Sequence, residues 1–519
     1  MNNKSALANV AYHASSEENV LPSQGEATGT TASSRAIVRR FLESLDERNV
    51  RYCHWKSNIR LQDALEGAED IDLLVDRRDS DQLHFALAEN EFKIALSSSG
   101  IGHPAVFHAL GLDEETAGLV HLHIYFQIVS GDSLVKSYRF PVEGALLEHT
   151  RRLHGVSVPV PEAELVLFSL RVALKHVSLI ETFLVSRHYR SVSAELAWLQ
   201  GQADMTQAEA LCTAWFPSIE PDLFRALLMA IQEDSAILRR ILLGWRVAKR
   251  LSSFRRIGTV SGFVSRQRRT LLLGFGRFIH RKDMILQTGG VIVALVGPKA
   301  TGKSTLGHEL ASRLGKNLDV RRIHAGKPPS TWLTIVPRLL TPLARSLFPS
   351  ERPGEYERLE RRRERRYSLL YILRMTILAY ERRKLLRQAL RAATTGSIVI
   401  SDRYPSHSIG AIDSSCFGDA ALAGSGSELK RWLMKREQTV YKTLPRPDLV
   451  IRLMAPIETA IERDATRLKE GGPDLDAVQR RWDMETQADF SPTPVIPIDT
   501  NRPLDETIRA VVKAVWAAF

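Results

Sequence analysis

The spacing of apolar residues along the first third of the chain changes from irregular to regular. Residues 1–34 are polar and small with no sustained apolar period, which predicts a disordered tail. From Arg35 apolar residues recur at helical spacing, and the segments 71–75 and 119–129 alternate or stay apolar as strands do. We therefore expect a small α/β domain over 35–157.

Two longer stretches follow the proline-containing segment 158–161, which ends the first domain. In 162–199 and 221–251 the apolar residues lie three and four apart, which is typical of amphipathic helices. This pattern predicts a helical spacer over 158–245.

The second half of the chain alternates short apolar runs with long helical patterns. Runs at 291–296, 398–400, 449–453 and 495–498 predict buried strands. Strands that alternate with helices form parallel sheets covered on both faces. The predicted fold class is thus α/β, with a parallel-sheet domain over 289–519 behind a smaller α/β domain and the spacer.

Composition agrees with a folded protein of several domains. Of the 519 residues 44% are hydrophobic and 25% are charged. No stretch has the roughly 18 uncharged apolar residues of a membrane span, and the first residues lack a secretory pattern. The chain has three cysteines far apart, Cys53, Cys212 and Cys416, which indicates neither disulfides nor a metal site. The expected location is the cytoplasm.

The net charge of +12 is unevenly distributed. The segment 246–282 holds many arginines and lysines with interleaved phenylalanines and leucines, and it contains no acid. We expect a basic linker over 246–288. It is either a solvated connection or a peripheral contact with an anionic membrane. A second run at 351–391 has 13 bases and 6 acids, so the rest of the chain is acidic on balance, which argues against specific nucleic-acid binding.

A phosphate-binding motif follows the strand at 291–296. Residues 297–304 fit the spacing GxxxxGK[ST], and a helical pattern begins at Thr305. Glycines let backbone N–H groups surround a phosphate, a lysine reaches the outer phosphates and a hydroxyl can bind Mg²⁺. The predicted ATP-binding residues are Gly297, Pro298, Lys299, Ala300, Thr301, Gly302, Lys303, Ser304 and Thr305.

Two further groups of charged residues lie near predicted strand ends. Asp402 and Arg403 end the apolar run at 398–400, where an acid can hold Mg²⁺ with Ser304 and an arginine can hold a phosphate. Arg463 and Arg467 are four apart and share a helix face before a glycine-rich segment at 471–473. They could close over phosphates as a lid, or form a solvated face.

Taken together, these motifs resemble the thymidylate kinase family of nucleoside-monophosphate kinases over about 289–519. The resemblance implies transfer of the ATP γ-phosphoryl group to a nucleoside monophosphate, with Lys303, Asp402, Arg403, Arg463 and Arg467 at the catalytic site. That family usually has an acid inside the loop, where this chain has Lys299. An ammonium group only donates hydrogen bonds, so it cannot replace the acid toward an acceptor sugar.

A shorter motif lies in the first domain. Asp70 and Asp72 face the same side of a predicted strand, downstream of Lys56-Ser57, and two such carboxylates can hold a divalent cation. The pattern resembles the polymerase-β-type nucleotidyltransferases over about 36–157. Where those enzymes supply a third carboxylate, this chain has His121 and His123, which suit a transition metal better than Mg²⁺.

The sequence thus predicts a cytoplasmic kinase that uses ATP and Mg²⁺ on a small phosphorylated acceptor, with a homodimer as one option. One alternative is nucleotidyl transfer at the amino-terminal carboxylates. Another is a non-catalytic ATP-binding switch at a membrane or a surface-polysaccharide assembly.

Overall fold

A computed structural model describes residues 35–98, 102–103, 105–233, 236–278, 284–329, 367–465 and 475–519. The predicted tail at 1–34 lies outside these residues. The chain forms two compact units. The first is built from 35–113 and 119–278, and the second from 284–519 together with the turn 114–118.

A mixed sheet forms the base of the first unit, in the order β1-β2-β5-β4-β3. Its strands are β1 Tyr52–His54, β2 Ile71–Val75, β3 Lys93–Ser97, β4 Val106–Asp113 and β5 Gly118–Tyr125. Strand β2 runs parallel to β5 and antiparallel to β1, and Asp72 lies opposite His123. The accompanying helices are α1 Ala36–Glu47, α2 Leu61–Leu65 and α3 Ser80–Glu89. Helix α1 buries its apolar face, including Phe41, in the core beside the sheet.

Two short hairpins and a helical layer complete this unit. The first elements are β6 Ile128–Ser130, β7 Tyr138–Phe140, α4 Glu143–Glu148, β8 Thr150–Leu153 and β9 Val156–Pro159. The helices are α5 Pro161–Lys175, α6 Leu179–Arg187, α7 Tyr189–Gln200, α8 Met205–Trp215, α9 Pro221–Gln232, α10 Ile237–Arg250 and α11 Thr259–Phe278. Helix α5 is buried on nearly all sides and forms the centre of this layer.

The second unit contains a five-stranded parallel sheet in the order β12-β13-β11-β14-β15. Strand β10 Met284–Leu286 precedes it, and the sheet strands are β11 Ile292–Val296, β12 Val320–His324, β13 Ile398–Asp402, β14 Leu449–Met454 and β15 Val495–Asp499. The helices are α12 Lys303–Leu314, α13 Leu369–Thr394, α14 Asp419–Ala423, α15 Glu428–Lys442, α16 Ile457–Ala465, α17 Leu475–Thr486 and α18 Leu504–Trp516. The predicted α/β fold class with its parallel sheet is confirmed.

Strand β11 lies at the centre of this sheet, between β13 and β14, and all five of its residues are buried. The carboxyl ends of β11 and β13 are therefore neighbours, with Leu295 opposite Asp402. Parallel sheets bind ligands at this edge. Among the described residues, no helix is both long enough and apolar enough to cross a membrane.

Candidate functional site

The loop between β11 and α12 has a backbone that only certain residues can adopt. Gly297 has φ +138°, and a Cβ there would lie 2.4 Å from the carbonyl oxygen of Leu453. Gly302 has φ +84° and precedes the first turn of α12. Both positions therefore need glycine, which explains the two glycines of the motif. The loop ends at the amino terminus of a twelve-residue helix, a place that favours anions.

Lys303 begins α12 and its side chain folds back over the loop. Its Nζ donates to the carbonyl oxygens of Gly297 and Pro298, at 2.7 and 2.6 Å. Burial lowers the pKa of Lys303, and the charge of Glu485 opposes this change. The ammonium is thus held at the loop by neutral acceptors, and a phosphate oxygen would be a stronger acceptor for it.

Ser304 and Asp402 join the loop to the end of β13. The Ser304 hydroxyl donates to Asp402 Oδ2 at 2.8 Å. Asp402 is only 8% exposed, and its other oxygen, Oδ1, has no hydrogen-bond partner among the described residues. A hydroxyl beside an unsatisfied carboxylate oxygen is a set of hard oxygen ligands, which fits Mg²⁺.

The remaining loop residues differ in their surroundings. Thr301 is buried and its hydroxyl donates to the Pro298 carbonyl at 2.8 Å, which stabilises the turn. Ala300 has φ +67°, whereas Lys299 and Thr305 are exposed. Lys299 therefore points its charge toward solvent at the edge of the loop.

Arg403 lies next to two groups that the sequence did not single out. Its backbone has φ +69°, and its guanidinium lies 3.5 Å from Asp413 Oδ2. The buried side chain of Arg382, on α13, donates to the other oxygen of Asp413 and to Tyr441, and its Nε donates to the Ala325 carbonyl at 3.0 Å. An aspartate thus joins two arginines near the end of β13.

No sequence signal distinguished these two residues. Arg382 is one of several arginines on a long basic helix, and Asp413 lies in a loop without a motif. Only the packing of α13 against the sheet reveals which arginine is buried there.

The predicted lid is described only in part. Arg463 lies on α16 and donates to the carbonyl of Thr500, just after β15, at 3.0 Å. Arg467 and the glycine-rich segment at 471–473 fall outside the described residues. The closing role of the two arginines stays a prediction.

In the first unit the two predicted metal-binding carboxylates, Asp70 and Asp72, contact other side chains of the protein. Asp72 lies 2.8 Å from Lys56 Nζ and 3.2 Å from His123 Nδ1. Asp70 accepts from His121 Nδ1 at 2.8 Å. Burial alone would raise the pKa of Asp72, but Lys56 and His123 hold it well below its usual range. Both carboxylates are therefore ionised, and the charge of Asp72 is already balanced by Lys56.

Most of the described part of the basic segment 246–288 is helical. Its first residues, 246–250, belong to α10, and residues 259–278 form α11. Arg266 of α11 forms an ion pair with buried Asp132 at 2.9 Å, and Arg269 donates to the Leu134 carbonyl. Apolar residues of α11 are exposed, Phe263 by 60%. Contact with an anionic membrane stays a prediction.

Comparison with known proteins gives distant similarities. The chain is 27% identical over 228 residues to the uncharacterized ATP-binding protein YghR of Escherichia coli K12, covering 43% of this chain and 86% of that protein. It is 27% identical over 246 residues to the uncharacterized ATP-binding protein YghS of the same organism, covering 44% and 93%.

Among solved structures, the thymidylate kinase of Candida albicans aligns with a TM-score of 0.27 at 18% identity, covering 44% of this chain and 91% of that enzyme. No family model matches the chain. Each of these similarities covers less than half of the chain.

Proposed function

We propose that the second unit binds ATP and transfers its γ-phosphoryl group to a small phosphorylated acceptor, with a nucleoside monophosphate such as dTMP as the first candidate. The observation that carries the proposal is the hydrogen bond between Ser304 and Asp402, directly beside Lys303 in the phosphate loop. Two distant relatives named as ATP-binding proteins support the nucleotide assignment.

Each loop residue has a defined task under this proposal. Backbone N–H groups of Gly297 and of 299–304 bind the phosphates, and Lys303 exchanges its two carbonyl partners for phosphate oxygens. Ser304 and Asp402 would hold Mg²⁺, which supplies charge neutralisation on the phosphoryl oxygens. The reaction then depends on positioning and electrostatic stabilisation rather than on a protein nucleophile.

The acceptor would lie toward Arg403. Its side chain is 41% exposed, whereas that of Arg382 is 5% exposed, and both contact Asp413. Arg403 can therefore reach a bound phosphate while Asp413 and Arg382 hold it in place. A guanidinium binds a phosphate through two parallel hydrogen bonds, which also orients it.

The test is an acceptor screen with the full chain and γ-labelled ATP. Nucleoside monophosphates come first, followed by sugars and lipid-linked phosphates. We expect label on one acceptor class, lost in Asp402→Asn and retained in Asp505→Asn, a matched control on an exposed carboxylate of α18. ATP binding without labelling of any acceptor would instead favour the non-catalytic switch.

A further inference from the structure

Three histidines lie together on one face of the sheet of the first unit. His121 and His123 are two apart on β5, so both point to the same face, and His108 comes from the neighbouring strand β4. One nitrogen from each of the three rings lies within 4.8 Å of the others. The closest pair, His108 Nδ1 and His121 Nε2, is 3.0 Å apart.

The 3.0 Å separation of the His108 and His121 nitrogens is close to that of two ligands around one ion. Two imidazole nitrogens bound to tetrahedral Zn²⁺ at about 2.0–2.1 Å lie about 3.3 Å from each other. The 3.0 Å contact requires one proton shared between two ring nitrogens, and a metal ion in that place would bind both. The cluster thus needs only small movements to close on an ion.

The two aspartates beside the cluster orient its rings. Asp70 Oδ1 lies 2.8 Å from His121 Nδ1, and Asp72 Oδ1 lies 3.2 Å from His123 Nδ1. When a carboxylate accepts a hydrogen bond from Nδ1–H, the lone pair of Nε2 is left for a metal. This pairing of carboxylate, histidine and metal is common in zinc sites.

We propose that His108, His121 and His123 form a binding site for a divalent transition metal of the zinc class, with Asp70 and Asp72 as positioning residues. Three protein ligands leave one coordination position for water or an oxygen ligand. The site is distinct from the magnesium site proposed in the second unit, because its ligands are nitrogens and not oxygens.

The charge and access of the cluster suit a cation. Lys56 forms an ion pair with Asp72, and Lys136 lies nearby over the Tyr125 ring, whereas Asp70 has His121 as its partner and can balance added positive charge. His123 is 23% exposed and Asp70 is 42% exposed, so an ion can reach the cluster from solvent.

The test is a Co²⁺ titration of the full, untagged chain after removal of metals with a chelator, in buffer with excess Mg²⁺. We expect one equivalent of Co²⁺ to bind with the intense visible absorption of a four- or five-coordinate nitrogen site, and Zn²⁺ to displace it. His108→Asn and His121→Asn should each abolish stoichiometric binding. The exposed histidines of the same unit give matched controls, His84→Asn and His154→Asn, which should bind as the unmodified chain does.

Folding of each variant is checked by circular dichroism. If a histidine variant fails to fold, the Asp70→Asn variant tests the site instead. Loss of an orienting carboxylate should leave one Co²⁺ bound per chain and weaken its affinity about 10- to 100-fold. The proposal is overturned if Co²⁺ does not bind stoichiometrically, if Mg²⁺ displaces it, or if folded histidine variants bind it unchanged.

Discussion

Asp402 and Asp72 are both acids on strands of the central sheets, yet their surroundings are opposite. Asp402 accepts from Ser304 through one oxygen, and its other oxygen has no partner among the described residues. Asp72 is paired with Lys56 and His123. A buried carboxylate can hold a hard cation only when its oxygens are not already neutralised. A carboxylate motif therefore acquires its chemistry from its neighbours.

This difference bears on the two enzyme classes that the sequence left open. The phosphate loop and Asp402 together form a set of oxygen ligands beside a lysine, which favours phosphoryl transfer. At Asp70 and Asp72 the adjacent groups are histidines and a lysine, which disfavours the two-Mg²⁺ chemistry of nucleotidyl transfer. We therefore propose the second unit, and not the first, as the place of the nucleotide chemistry.

The largest expected effect is on turnover. Lys303→Ala should lower the rate of phosphoryl transfer about 10²- to 10³-fold, because it removes a positive charge from the phosphate site. The matched control is Lys299→Ala, an exposed lysine of the same loop, which should cost less than about tenfold. Steady-state kinetics with γ-labelled ATP measure both, and equal losses would contradict the assignment.

The second prediction concerns the stability of variants at the two carboxylates, Asp72 and Asp402. Asp72→Asn leaves the Lys56 ammonium without its charge partner and should lower the free energy of unfolding by about 3 kcal/mol. Asp402→Asn keeps an acceptor for Ser304 and removes an unsatisfied buried charge, so it should change stability by less than about 1 kcal/mol. Chemical denaturation of both variants measures the contrast. A large destabilisation by Asp402→Asn would show that this carboxylate has a structural partner.

A third prediction concerns pH and the first unit. Glu164 is 2% exposed, and burial raises its pKa to about 7, although Asn58 donates to both of its oxygens. The unfolded chain releases this proton near pH 4.5, so between about pH 4.5 and 7 the folded state binds more protons. The stability that Glu164 provides should therefore be lost as the pH rises through about 7.

Denaturation of Glu164→Gln at pH 5 and pH 8 checks this prediction. The difference in the free energy of unfolding between pH 5 and pH 8 should be smaller in the variant than in the unmodified chain, by on the order of 2 kcal/mol. An unchanged difference would show that Glu164 titrates normally.

The smallest expected effect is on acceptor binding. Arg403→Ala should raise the KM for the acceptor about tenfold and leave the KM for ATP nearly unchanged, because a charge-assisted hydrogen bond is lost on one substrate only. Kinetics with each substrate varied in turn measure the two constants. Equal changes in both would place Arg403 on the nucleotide instead.

Local signals predicted the parallel sheet and the phosphate loop. The apolar runs that become β11, β13, β14 and β15, and the glycines that need φ > 0, are visible in the chain itself. The pairing of Arg382 with Asp413 was not, because it depends on which face of α13 packs on the sheet. The ion pair between Lys56 and Asp72 likewise depends on the order of the strands in the sheet. Long-range packing fixes such partners, and one-dimensional patterns do not encode them.

Phosphoryl transfer in the second unit through Ser304, Asp402 and Lys303 is the proposal on which the others depend. The most direct test compares products from γ-labelled and α-labelled ATP for the full chain and for two variants, Asp402→Asn and Asp70→Asn. We predict γ-label on the acceptor, lost in Asp402→Asn and retained in Asp70→Asn. Pyrophosphate release with α-label on the product, lost in Asp70→Asn, would contradict a kinase site in the second unit.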